Sequence, residues 1–429
     1  MRQRHLSGQG GAGGRRRRWA TSLVAAAFAV AVVAPVLGAG TAGAAPRAHH
    51  KLSGTVLIGA SVSLSGDFSA TGTTTKEGYE VFQKWINSHG GMDGKRVVFR
   101  FLSDGSSPTQ VTTNYQKLIT VTHVNFVVGP YSTLLTKPAS IVANRYGKAL
   151  VEGIGGGPSV FEAGLHNVFD VSASAAYQGI TFAKWVAKAF KPQPVAFAAI
   201  TTPFSEPIVT GIRKYLKARG FTAPVFKVYP LETTDWTPIA SAIEATHAKI
   251  VALATQPPDG YAFIQDFASA GYNPTVLFEV SGPDQGKSFV KAVGKQNTTG
   301  VMWPNTWYPG AAEGVVNKQM EKIAEKMLHV KLSGLSANIA EAFSAAQVLA
   351  EAVNHIKSLT NKKLMAYLHK GHFTSVQGAV CFTPTGQNKC AQPFVFQWQH
   401  GNQVAVLPTT KPGVVKIMAH KPKWGQSKY

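Results

Sequence analysis

The chain has 429 residues, 45% of them hydrophobic and 15% charged, and a formal charge of +22. That length is too great for one small domain and fits two lobes. The excess charge is spread along the chain and no basic run interleaves with aromatics, which argues against a nucleic-acid partner and suits a basic surface facing an anionic envelope or wall.

Residues 1–44 carry six arginines and no acid, and Arg15 to Arg18 stand just before an apolar run over 20–37. With Ala42-Gly43-Ala44 closing the run, the pattern predicts a secretory signal cleaved after Ala44. An uncleaved membrane anchor is the alternative, and the paired arginines are compatible with a twin-arginine route. No cysteine stands directly after the run, so no lipobox is present. Residues 45–51 read as a flexible leader, and no later stretch is long and apolar enough to span a bilayer.

A short apolar strand is predicted over 56–59, followed by Leu64-Ser65-Gly66 and a second small-residue loop ending at Thr71-Gly72. A helix is predicted over 76–87, closing on Gly90, Gly91 and Gly94. A strand that runs through a Gly/Ser/Thr loop into a helix N-terminus presents N–H groups and small hydroxyls, here including Ser65 and Thr71, to a ligand. The loop is long and has no lysine placed for a phosphate, so it suits a small polar or zwitterionic ligand. Further strands are predicted at 97–102, 125–129, 149–151, 195–200, 224–229, 250–254 and 275–280. Helices are predicted between them at 108–121, 134–146, 177–190, 206–219, 236–245 and 260–270. This alternation predicts an α/β fold with parallel sheets. No short repeat and no long linker occurs, so the two lobes are expected to share several crossing segments, with the binding site in the cleft between them.

The opening block resembles the Leu/Ile/Val-binding protein family, the type I periplasmic solute-binding proteins of ABC transporters. The resemblance rests on Ser63-Leu64-Ser65-Gly66, Ala70-Thr71-Gly72 and Ile86-Asn87-Ser88-His89-Gly90-Gly91-Met92-Asp93-Gly94, with Ser63 in place of the family's proline. It continues through Asp104, Ser107 and Pro108, through Val128-Gly129-Pro130-Tyr131-Ser132-Thr133, through Thr234-Asp235-Trp236-Thr237-Pro238, and through Gln397 to Pro408. The resemblance implies a two-lobed type I fold, each lobe a parallel sheet flanked by helices, joined by three crossovers. Lobe one would be 52–171 plus 302–372, and lobe two 172–301 plus 373–429. It implies an extracytoplasmic solute-binding protein of an ABC importer, closing about a hinge on an amino acid or a related small carboxylate or amide. Such a protein is a monomer that docks on a membrane permease and needs no cofactor. A ligand sensor of the same fold is the alternative.

Ser132 and Thr133 stand at the start of helix 134–146, where hydroxyls and free N–H groups suit a carboxylate. The resemblance places the carboxylate-binding serine there. In the loop Gly153-Ile154-Gly155-Gly156-Gly157-Pro158 the family's threonine falls at Gly156, so Gly155 and Gly156 would meet the ligand with a hydroxyl lost and space opened. The same run fails the dinucleotide fingerprint. Phe204 sits where relatives carry a tyrosine, and Thr71 replaces an aromatic. Tyr177 opens the first helix of lobe two, and Gln256 follows a strand at its C-terminal end. The resemblance places the carboxylate that holds an ammonium group at Glu279 or Asp284, which flank Val280-Ser281-Gly282-Pro283. The residues at 71, 156 and 204 point to a ligand bulkier or less polar than a plain branched-chain amino acid.

The only cysteines, Cys381 and Cys390, flank a turn-like Phe382-Thr383-Pro384-Thr385-Gly386. In an exported protein they are expected to form a disulfide stapling a hairpin, with two free thiols as the alternative. Enzyme motifs are lacking: Ser288-Phe289-Val290-Lys291 matches S-x-x-K without its partner motifs. His369 and His372 have no third ligand nearby in sequence, so no zinc site is expected.

Overall fold

The computed structural model describes residues 52–310 and 314–426, so the expected signal over 1–44 and the leader over 45–51 lie outside the described residues. Among the described residues no helix is long and apolar enough to cross a membrane.

The first sheet is built from β1 (Thr55–Val62), β2 (Arg96–Ser103), β3 (Phe126–Val128), β4 (Leu150–Glu152) and β5 (Val168–Asp170), in the order β2-β1-β3-β4-β5. All its pairings are parallel. β3, β4 and β5 are buried at every residue, as a parallel sheet covered by helices on both faces requires. One face packs on helices Ser69–Asn87 and Ala337–Ile356, and the other on helices Pro108–Thr120 and Thr133–Arg145.

The first helix begins at Ser69 rather than at 76, so Thr71-Gly72 lies in its first turn and not in a loop. Threonines are weak helix formers. Here the hydroxyls of Thr71, Thr73, Thr74 and Thr75 donate to carbonyls three or four residues earlier. Gly72 also lies directly against the Ser63 backbone, a contact that leaves no room for a Cβ. Packing therefore overrides the local preference. The helix expected over 177–190 is divided at Gly179 into Ala175–Gln178 and Ile180–Ala189.

The second sheet contains β6 (Val195–Ile200), β7 (Phe226–Tyr229), β8 (Ile250–Ala254), β9 (Val276–Glu279), β10 (Val301–Asn305), β13 (Phe394–Gln399) and β14 (Asn402–Leu407). Its order is β14-β13-β10-β9-β8-β6-β7. β6 to β10 are parallel, but β13 runs antiparallel to β10 and β14 antiparallel to β13. The second sheet is therefore mixed rather than purely parallel. A direct return from β13 to β14 needs only a tight turn, which is possible between antiparallel strands alone.

Strand membership also moves the expected lobe boundaries. β10 pairs with β9, so the second crossing begins after Asn305 and not at 301/302. The hairpin of β11 (His372–Ser375) and β12 (Gly378–Cys381) packs on the first lobe through Phe373, Val376, Val380 and Phe382, so the third crossing follows it instead of falling at 372/373. Cys381 and Cys390 form the expected disulfide, with Cα atoms 5.5 Å apart. Inside that loop Asn388 accepts from the N–H groups of Cys381 and Cys390 and donates to the carbonyl of Val171, tying the third crossing to the first. His372 lies within reach of both sulfurs, a closeness not visible in the sequence, but those sulfurs are bonded to each other.

Candidate ligand-binding cleft

The C-terminal ends of the strands in both sheets face a cavity of about 140 Å³. From the first lobe come Phe68 and Thr71, Tyr131 and Ser132 after β3, the Gly153–Gly156 loop after β4, and Asn338 and Glu341 on helix Ala337–Ile356. From the second come Phe204 after β6, Gln256 after β8, and Ser281 and Asp284 after β9. Ligands of open α/β sheets bind at such strand ends.

Ser132 is the N-cap of helix Thr133–Arg145, yet its hydroxyl makes no capping bond, which leaves it for the cavity. Phe68 and Tyr131 meet edge to face with centroids 5.5 Å apart and form one aromatic wall. Gln256 caps the helix Pro257–Ser269, its backbone N–H donating to Asp259 Oδ1 at 2.8 Å.

Electrostatics distinguish this cavity. Among the described residues lining it, the only charged groups are Asp284 and Glu341, one from each lobe, with no lysine, arginine or histidine in the lining. Asp284 Oδ1 accepts from the Gly282 N–H at 2.8 Å, and Oδ2 accepts from the Gln285 amide. Glu341 Oε1 accepts from the Thr306 hydroxyl at 2.6 Å. Burial pushes the Glu341 carboxyl up to about 7; the Thr306 bond opposes this, and the charges of Glu152 and Asp284 add to it. Burial also raises Asp284, against its hydrogen bonds. Burial and then the Asp284 charge push Tyr131 up to about 12, so its hydroxyl keeps its proton.

Behind the glycine loop lie two more acids. Glu152 and Asp170 are register partners on β4 and β5, both fully buried. Glu152 Oε2 accepts from the N–H groups of Ile154 and Gly155, and Asp170 Oδ1 from that of Ser172 at 2.8 Å. Glu152 Oε1 and Asp170 Oδ2 have no partner. Burial raises both groups, Glu152 to about 7, and the Glu152 charge raises Asp170 further.

A family model described as periplasmic binding protein matches residues 55–403. The chain belongs to that family. This periplasmic binding protein is 23% identical over 353 residues to Leu/Ile/Val-binding protein homolog 3 of Brucella melitensis biotype 1, covering 82% of this chain and 93% of the relative. Its fold is similar to that of the branched-chain amino acid transporter substrate binding protein LivJ from Streptococcus pneumoniae in complex with isoleucine. That match has a TM-score of 0.72 at 17% identity, covering 83% of this chain and 100% of that one. It is also similar to an ABC transporter solute binding protein from R. palustris in complex with benzoate, with a TM-score of 0.70 at 16% identity over 86% of this chain and 100% of that one.

Of the residues singled out in the sequence of this family member, Thr71, Ser132, Gly156, Phe204, Gln256 and Asp284 line the one cavity. Five others do not. Ser65 is exposed at the loop tip. Thr133 is buried and its hydroxyl accepts from the Gly157 N–H at 3.0 Å, so it fastens the glycine loop to the helix. Gly155 packs on the Thr136 side chain. Tyr177 is 65% exposed on the outer side of its short helix, whereas Ala175 and Gln178 face inward. Glu279 is fully buried with neither oxygen bonded. It lies two residues after Leu277, on the same strand face, beneath the helix that carries Asp259 and Gly260. Sequence reasoning missed Glu341, Tyr131 and Phe68. The available signal for Glu341 was an acid in the largely apolar and small-residue first half of helix Ala337–Ile356.

Proposed function

We propose that this chain is the extracytoplasmic solute-binding component of an ABC importer, exported by its N-terminal segment, and that its solute carries a protonated amine. The observation that carries the ligand half of this reading is the meeting of Asp284 and Glu341 in one cavity without a cationic side chain. Two desolvated carboxyls, of which Asp284 raises the pKa of Glu341, are stabilised by a cation placed between them. Because one belongs to each lobe, that cation also draws the lobes together, and lobe closure is what a membrane permease would recognise. The Ser132 hydroxyl stands in the same cavity for a carboxylate or carbonyl of the solute. Phe68, Tyr131 and Phe204 supply apolar walls. Amino acids and amines fit these groups; an aromatic or aliphatic acid lacking an amine leaves the two acids without a cation and adds a third negative charge beside them.

The reading is tested by thermal unfolding with a panel of amino acids, amines and simple acids, using the wild type, Asp284→Asn and Glu341→Gln. Bound ligand raises the midpoint when its concentration exceeds the dissociation constant. Amine-bearing compounds are expected to raise it, and each substitution to weaken their binding about tenfold to hundredfold, the loss of a charge-assisted contact worth about 1.5–3 kcal/mol. Equal shifts with and without the two carboxylates would refute the amine clamp.

A further inference from the structure

The cleft continues past the cavity described above. A second compartment of about 620 Å³ adjoins it, and Asp284, Asn305 and Asn338 border both. Its walls are Trp307 and Tyr308 of the second crossing, Phe396 and Gln403 of β13 and β14, and Lys331 and Leu335 before helix Ala337–Ile356.

Size and charge both distinguish the two compartments. At about 140 Å³ the inner one is comparable with the ~150 Å³ cavity that takes a benzene-sized guest, while sites for whole small molecules run to about 300–1,000 Å³. The inner compartment holds only acids. The outer one holds Lys331, the only cation among the described residues lining either. Besides the shared Asp284 its acid is Glu325, which is engaged by its own chain, accepting from the Leu332 N–H at 2.7 Å. Asn305 and Asn338 at the neck can each donate and accept, as a peptide group requires. The Trp307 N–H and Tyr308 hydroxyl are bonded to Asn317 and the Pro412 carbonyl, so these residues offer ring surface to a guest.

Resting on the amine reading above, we infer that the cleft is built for a linear solute longer than one amino acid: a short peptide with free ends, its ammonium in the inner compartment and its carboxylate toward Lys331. The peptide groups cross the neck between the two asparagines, and the side chains lie against the aromatic wall.

Calorimetric titration with alanine, dialanine, trialanine, tetraalanine and C-terminally amidated trialanine tests this. The dissociation constant is expected to fall about tenfold or more from alanine to trialanine, with the free acid tighter than the amide. Lys331→Gln, a change at an exposed side chain, is expected to erase the difference between trialanine and its amide. Gln403→Trp narrows the outer compartment and is expected to collapse the ratio of the alanine to the tetraalanine constant. Peptides that bind no tighter than alanine, or a gain with length that survives both variants, would overturn the inference. Binding of alanine without any gain sinks this inference alone; no binding by any amine in the series sinks the amine reading with it.

Discussion

Glu341 and Asp284 reach one small cavity from opposite lobes, and their titration gives the site a pH signature. A carboxyl whose pKa is raised by folding holds its proton more tightly in the folded than in the unfolded chain. The unliganded protein therefore loses stability as pH rises from 4.5 to about 7, the window of Glu341, and Glu152 acts with the same sign. Lys421, lowered to about 7 by burial, contributes only above that window, because both states hold its proton below it. The melting temperature without ligand is expected to be lower at pH 7.5 than at pH 5, with a shallower fall in Glu341→Gln. Affinity for an amine runs the other way, rising up to about pH 7 as Glu341 ionises and then levelling. At this scale the sequence was partly legible. Asp284, expected from the resemblance, and Ser132, expected from its place just after a strand, both line the cavity. Glu279 was misplaced because a few residues of register decide whether an acid tops a strand or lies under a helix. Glu341 escaped because it sits on a helix that the alternating pattern of the first 280 residues did not predict.

The first helix starts where local propensity argues against it, and Gly72 is the reason it can. An alanine there would press its Cβ onto the Ser63 carbonyl, and the loop and helix would have to part. Gly72→Ala is expected to cost about 1–3 kcal/mol in denaturant unfolding, as overpacking does, despite alanine's better helix propensity. The disulfide is the second local device. It closes a loop of sequence separation 9, and replacing both Cys381 and Cys390 by serine is expected to cost about 2–3 kcal/mol by the same measurement. Between these elements runs a relay that no periodicity discloses. The Gln377 amide, in the hairpin turn, donates to Ser172 of the first crossing at 2.9 Å and to Thr306 of the second at 2.7 Å. Thr306 in turn donates to Glu341, so the cleft acid is bonded to the segments that join the lobes. Strands β6 and β8 matched their predicted limits because continuous apolar runs bounded by polar residues leave little choice. The crossings did not, because extended residues between two sheets look alike whichever sheet they join.

Among the described residues, two large sheets, three crossings and a cleft at the strand ends make a frame that a ligand can close. The α/β alternation and the glycine-rich opening block made that architecture and the family legible. The antiparallel strands β13 and β14 were not, since they follow helices and crossings in the last third of the chain. In the function proposed above, the cleft grips an amine by one acid from each lobe. The direct measurement is calorimetric titration with three forms of one skeleton, on both alanine and leucine: the amino acid, its decarboxylated amine and its deaminated acid. The amine is expected to retain binding and the deaminated acid to lose about hundredfold or more, roughly 2.7 kcal/mol. A deaminated acid that binds as tightly as the amine would contradict the proposed grip.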